Sequence, residues 1–198
     1  MKKDEKNALI VLVGPSAIGK TYWSDYLLKI SKGMLKRVKT TTTRPPRNEA
    51  DNLSYDFISR KEFEKGIKNG KFFEYDEYLE HYYGSSLKNI KTILKNACGI
   101  FALTPKGVKA LRAYRKEIPA VILLLTPITE KVLIRNYMRR GIFDDKKQKE
   151  LLKKSKKFKL PEKIPHIIVP ITGLQGDGIT IAAAVLSGML ELYPQLNV

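Results

Sequence analysis

Ala8-Leu9-Ile10-Val11-Leu12-Val13-Gly14-Pro15-Ser16-Ala17-Ile18-Gly19-Lys20-Thr21 is the stretch that decides the fold. The six apolar residues before Gly14 read as a buried strand, and the residues after Thr21 keep a helical spacing. Strand, glycine-rich turn and helix start, in that order, are the setting of a phosphate-binding loop. Its glycines let successive backbone N–H groups turn inward around phosphate oxygens where side chains would crowd them. The helix N-terminus adds its dipole and free donors. Gly14, Pro15, Ser16, Ala17, Ile18, Gly19, Lys20 and Thr21 are therefore the expected cradle of a nucleoside triphosphate such as ATP. Lys20 is expected to reach the β- and γ-phosphates, and Thr21 to offer its hydroxyl to Mg²⁺.

Composition narrows the remaining classes. A chain of 198 residues fits one domain with a substantial core. Its hydrophobic content of 43% and charged content of 29% are ordinary for a globular protein. The single cysteine, Cys98, excludes an internal disulfide framework and suits a reducing cytoplasm, the expected location. An apolar run of six residues is too short for a signal core or a bilayer span, so no membrane association is expected. No Cys/His cluster suggests zinc. The net charge of +17 is the outlier, and it invites a polyanionic partner. Lysine is spread along the whole chain, densest over residues 146–163, and no nucleic-acid motif accompanies it. Nucleic acid is therefore not the expected partner; two polyanionic substrates suit the charge equally well. A monomer or homodimer is expected.

Downstream of the loop, residues 21–32 carry Trp23, Tyr26, Leu27 and Ile30 at helical spacing and end at Gly33. Residues 34–38 read as a short strand. Residues 40–52, with a threonine run, Pro45 and Pro46, read as loop. Ser59-Arg60-Lys61-Glu62 is a capping box, which predicts a short helix stopping near Asn69-Gly70. Residues 72–75 read as a strand, Tyr82-Tyr83-Gly84-Ser85 as a turn, and residues 87–96 as a helix. Strands over 100–103, 120–125 and 166–171 then alternate with helices over 105–116, 127–139 and 179–192. Thr104-Pro105 and Thr126-Pro127 both fit an N-cap followed by proline at the first helical position. Residues 140–157 are basic with few apolar anchors and read as a mobile segment. The expected class is α/β, a P-loop NTPase-type parallel sheet flanked by helices, with its ligand at the carboxyl edge.

Four motifs between residues 41 and 85 carry a family resemblance. Thr41-Thr42-Thr43-Arg44-Pro45-Pro46-Arg47, Tyr55-Asp56-Phe57-Ile58-Ser59, Phe72-Phe73-Glu74 and Tyr82-Tyr83-Gly84-Ser85 follow the order and approximate spacing seen in guanylate kinases. The chain resembles that family specifically over residues 8–100 and more weakly beyond. The resemblance implies transfer of the γ-phosphate of ATP to GMP or dGMP, by a core (1–39, 89–139 and 158–198), a GMP-binding subdomain (40–88) and a lid (140–157). Arg44 and Arg47, in a proline-stiffened loop, would grip the monophosphate. Tyr55 and Tyr83 would donate to the same phosphate. Glu74 would accept from N1–H and the exocyclic amine of guanine, an edge adenine does not present. Thr40 and Ser85 would donate to guanine O6 or contact the base edge. Lys20, Arg135, Arg139 and Arg140 would neutralise the phosphoryl group in transfer.

The pattern also breaks. Where the family carries Asp-x-Asp, this chain has Ala102-Leu103-Thr104. One missing carboxylate would serve the water shell of the metal, the other guanine and a phosphate-gripping arginine. Thr104 reads either as the N-cap before Pro105, the preferred reading, or as a base contact. After Arg135, Arg139 and Arg140 the lid offers lysines such as Lys153, Lys154 and Lys157. Lysine is a point charge without a planar fork. Pro170 or Ile171 stands where the family has an asparagine near adenine. Two other readings therefore stay open: a catalytically weakened nucleotide- or partner-binding module, and a monophosphate kinase with a different acceptor.

Overall fold

In a computed structural model the described residues are 7–46, 49–78, 80–161, 163–174 and 176–193. Strand β1 (Leu9–Val13) is buried at every position. It lies between two neighbours in a five-stranded parallel sheet, so both of its faces are covered, and the apolar run is continuous rather than alternating. Ile10 and Leu12 join one core layer, while Leu9, Val11 and Val13 join the other. The remaining strands are β2 (Leu35–Arg37), β7 (Cys98–Ala102), β8 (Ala120–Pro127) and β9 (Ile167–Ile171), in the order β2-β7-β1-β8-β9.

Helix α1 (Lys20–Ile30) starts directly at the end of the loop and buries Trp23 and Leu27 in the first core layer. That layer also holds Val132, Leu133 and Tyr137 of α5 (Glu130–Arg139) and Ile181 of α7 (Asp177–Leu192). The opposite layer takes Ile90 from α3 (Leu87–Leu94) and Val108 and Leu111 from α4 (Pro105–Leu111). Fully burying a side chain such as Leu133 stabilises by about 1.5–3 kcal/mol before ordering costs, so these layers dominate the fold.

A second sheet arises from the interrupting stretch, with order β4-β3-β6-β5: β3 (Thr40–Thr42), β4 (Tyr55–Phe57), β5 (Phe72–Tyr78) and β6 (His81–Ser86). The stretch expected as loop over 40–52 thus contributes β3 and a 3₁₀ turn at Glu49–Leu53. The Tyr82–Ser85 segment, expected as a turn, is strand. Gly84 suits it there because a Cβ would lie 2.8 Å from the Phe63 ring. That ring stacks on Phe72 at 4.3 Å and on Tyr82 at 5.2 Å. Phe63 belongs to α2 (Arg60–Lys68), whose capping box forms as expected: Ser59 accepts from the Glu62 N–H and Glu62 accepts from the Ser59 N–H.

Residues 140–157, expected as a mobile segment, contain α6 (Asp145–Lys156), capped by Asp144, with Leu151 and Leu152 packed against the first core layer. One further expectation is corrected. Thr126-Pro127 is not a helix start. The strand β8 runs through Pro127, paired with Ile171 of β9, and α5 is capped at Thr129. Thr104-Pro105 does start a helix, and the Thr104 hydroxyl accepts from Gly107 N–H.

Candidate active site

Residues 14–19 link β1 to α1 at the carboxyl edge of the parallel sheet. Gly14, Pro15, Ala17 and Ile18 are buried, Gly19 caps α1, and the Ser16 and Thr21 side chains face outward. Lys20 turns back over the loop, and its Nζ donates to the carbonyls of Gly14 at 2.8 Å and Pro15 at 2.9 Å. Burial, reinforced by the nearby Arg140 guanidinium, lowers the Lys20 ammonium to a pKa of about 8. Arg140, the residue that ends α5, therefore shares the electrostatic field of the loop. A contact not legible in the sequence reaches the loop as well: Asn136 Nδ2 donates to the Ala17 carbonyl at 2.8 Å.

The second cluster lies in the inserted sheet. Register places Glu74 of β5 opposite Ser85 of β6, just past an irregularity between Phe72 and Glu74. The Ser85 hydroxyl donates to Glu74 Oε1 at 2.6 Å. Burial pushes the Glu74 carboxyl above its ordinary range, the Ser85 bond opposes that, and Asp76 adds to it. The turn that Thr104 caps abuts this carboxylate: a Cβ on Gly107 would lie 3.2 Å from Glu74 Oε2. Thr104 itself is exposed.

Arg44, Tyr55 and Tyr83 gather on the same sheet. The Arg44 guanidinium pairs with Asp51 at 3.0 Å and lies over the Tyr55 ring at 5.2 Å and the Phe57 ring at 5.7 Å. Tyr55 and Tyr83 meet edge to face at 6.3 Å. A guanidinium held on two aromatic faces and a carboxylate is set in orientation before any anion arrives. Asp51 is a residue that sequence reasoning missed; nothing local to Glu49–Leu53 marks it. Thr40 pairs with Tyr55 along β3 and β4. Arg47 lies outside the described residues.

The guanylate kinase family model matches residues 6–169, most of the chain and both clusters. The chain belongs to the guanylate kinase family. It is 34% identical over 173 residues to a guanylate kinase of Onion yellows phytoplasma, covering 85% of this chain and 81% of that one. A guanylate kinase of Listeria innocua is 36% identical over 139 residues, covering 69% and 67%. Among solved structures, the guanylate kinase from Anaplasma phagocytophilum superposes with a TM-score of 0.62 at 17% identity, covering 98% of this chain and 97% of that one, a likeness of fold.

Within this guanylate kinase fold the basic residues of α5 part ways. Arg139 and Arg140 are exposed at its end. Arg135 instead donates through Nη2 to Gly173 O at 3.0 Å, and its buried Nε has no hydrogen-bond partner among the described residues. Gly173 belongs to the loop after β9, which Asp177 clamps: its carboxylate accepts from Thr172 N–H at 3.0 Å, Thr172 Oγ1 at 2.6 Å and Gly173 N–H at 2.7 Å. Pro170 and Ile171 lie just before that loop, at the end of β9. Asp177 was not anticipated, although an acidic residue opening a helix is a recognisable signal.

Ala102 ends β7 with its side chain exposed. Among the described residues no three His, Cys, Asp or Glu side chains gather as a metal site. The exposed Thr21 hydroxyl, one residue past Lys20, suits a magnesium ion that arrives on a triphosphate and keeps most of its water. No helix among the described residues is long and apolar enough to cross a membrane.

Proposed function

We propose that this chain transfers the γ-phosphoryl group of ATP to GMP or dGMP in the presence of Mg²⁺. The observation that carries the reading is the Glu74–Ser85 pair, a carboxylate acceptor set into the inserted sheet of a chain whose phosphate loop is complete. Ionised Glu74 accepts from N1–H and the exocyclic amine of guanine. Thr40 donates to O6; Ser85, whose one proton is engaged by Glu74, joins it by releasing that bond. Thr104, which caps the turn that abuts Glu74, adds a neutral contact and no charge. Arg44 and Arg47 clamp the monophosphate, and Tyr55 and Tyr83 donate to it.

Residues 14–21 hold the triphosphate, with Lys20 leaving its own loop carbonyls for the β- and γ-phosphates. Mg²⁺, held by the nucleotide and Thr21, supplies charge neutralisation. An oxygen of the GMP phosphate forms the new bond to the γ-phosphorus as the bridging bond to ADP breaks. Lys20, Arg140 and Arg139 balance the charge that spreads over the transferring group. Arg135 joins them with its unspent Nε donor or by leaving Gly173. Residues 40–88 act as the GMP-binding subdomain and residues 140–157 as the lid, closing on the core to exclude water. Cys98, the one cysteine, supports a cytoplasmic setting.

A coupled assay with ATP and a panel of monophosphates tests the reading. Transfer to GMP and dGMP, with AMP, CMP and UMP poor, is the expected result. Preference for another monophosphate overturns the acceptor. Binding of GMP with no transfer at any Mg²⁺ concentration overturns the enzyme in favour of a binding module.

A further inference from the structure

Helix α5 packs in the same core layer as Ala17 and Ile18 and reaches the loop backbone through an amide. Asn136 Nδ2 donates to the Ala17 carbonyl at 2.8 Å, across 119 residues of sequence. Ala17 stands at φ +63, a left-handed conformation that residues with a Cβ adopt reluctantly, and the residue is 4% exposed, within the core. The peptide unit is planar and trans, so the Ala17 carbonyl and the Ile18 N–H point in opposite directions. With the carbonyl held by Asn136, that N–H faces the Pro15 carbonyl at 3.4 Å, a stretched bond. The same Pro15 carbonyl accepts from Lys20 Nζ. Ile18 N–H and Lys20 Nζ thus converge on one acceptor, which an incoming phosphate oxygen can replace for both.

We infer that Asn136 is a positioning residue for the donor nucleotide: it fixes the Ala17–Ile18 peptide so that the Ile18 N–H is aimed into the phosphate cradle. The inference rests on the proposed reading of residues 14–21 as a triphosphate site. Asparagine suits the task because its amide donates. Aspartate at the same place only accepts, and would set an anionic oxygen against the carbonyl. The tether also places the loop's geometry under the control of the helix that carries Arg140, so donor binding and the arginine facing Lys20 are linked through one rigid element.

Trp23 is the only tryptophan in the chain, and a Cβ on Gly19 would lie 3.2 Å from its indole nitrogen. Its fluorescence therefore reports on the loop. The wild type, Asn136→Ala and Asn136→Asp are titrated with Mg·ATP by fluorescence and calorimetry, GMP binding is measured separately, and kcat and both KM values follow. Losing one neutral hydrogen bond is expected to weaken ATP about fivefold in Asn136→Ala, with a larger loss in Asn136→Asp. GMP affinity and kcat stay at the wild-type level, and Asn136→Gln, which keeps the amide, recovers part of the loss. Unchanged ATP affinity in both Ala and Asp variants overturns the inference. So does a fall in kcat with ATP affinity kept, which makes Asn136 a group acting on the transferring phosphoryl. Wild-type protein that binds no ATP by either method overturns the triphosphate reading itself, and the inference with it.

Discussion

The hydroxyl of Ser85 donates to a carboxylate oxygen of Glu74 at 2.6 Å, and the two residues stand opposite each other across β5 and β6. Glu74→Gln keeps the shape and loses an ionised acceptor. A hydrogen bond to a charged group contributes about 1.5–3 kcal/mol, so KM for GMP is expected to rise on the order of 10- to 100-fold with KM for ATP little changed. Burial raises the Glu74 pKa, so the ionised acceptor is lost as pH falls through that raised value. The pH profile of kcat/KM for GMP shows an acid limb displaced upward from the ordinary glutamate range, absent in Glu74→Gln. Equal losses for both nucleotides remove Glu74 from the base pocket.

Lys20 has a folded-state pKa of about 8, below its unfolded value of 10.5. Above pH 8 the free protein carries it largely neutral, while a bound triphosphate favours the charged form. ATP binding slightly above pH 8 is therefore accompanied by proton uptake, and affinity falls as pH rises further. Calorimetry in two buffers of different ionisation enthalpy measures the uptake, and Lys20→Met abolishes it. The same variant loses roughly 10²–10³ in kcat. Its melting temperature at neutral pH is at or above that of the wild type, because burying the charged form opposes folding below the unfolded pKa.

Ala102 and Thr104 stand where the resemblance leads one to expect aspartates, and both are exposed. Ala102→Asp is expected to lower the Mg²⁺ concentration at half-maximal rate without loss of stability. Thr104→Asp keeps the helix cap, because aspartate accepts from Gly107 N–H as threonine does. It tightens GMP through the guanine amine and Arg44. Steady-state kinetics over a Mg²⁺ and GMP grid checks both; no change in either dependence removes these positions from the site.

Gly173 has φ +78, and a Cβ there would lie 1.8 Å from Arg135 Nη2. Gly173→Ala must displace the guanidinium and strain the backbone together. Its expected cost is about 1–3 kcal/mol, or roughly 3–10 °C in Tm for a chain of this size, read by thermal denaturation. Unchanged Tm removes the close approach.

What was legible locally was the loop and the caps. The apolar run into Gly14, the Ser59–Glu62 box and Thr104-Pro105 each declare themselves within a few residues, and each forms. The misreadings share a cause in distant packing. Tyr82–Ser85 looks like a turn until Phe63 and Phe72 need the space at Gly84. Residues 145–156 look unanchored because only Leu151 and Leu152 touch the core, yet lysine is a good helix former and Asp144 caps the start. Asp51 beneath Arg44 and Asn136 at Ala17 have no local signature: one follows a loop that closes on itself, the other a contact across most of the chain.

The lysine of the phosphate loop is its own first ligand, bound to the carbonyls of Gly14 and Pro15. An anion that approaches does not meet a bare cation; it meets a competition already under way. A solitary chloride or carboxylate offers one weak exchange for two good bonds and loses. A chain of phosphates offers several oxygens to the lysine and to the backbone N–H groups at once, and wins. On the proposed reading of residues 14–21 as a triphosphate site, the loop discriminates by number of simultaneous contacts rather than by charge, so a protein of net charge +17 does not fill that site with whatever salt surrounds it.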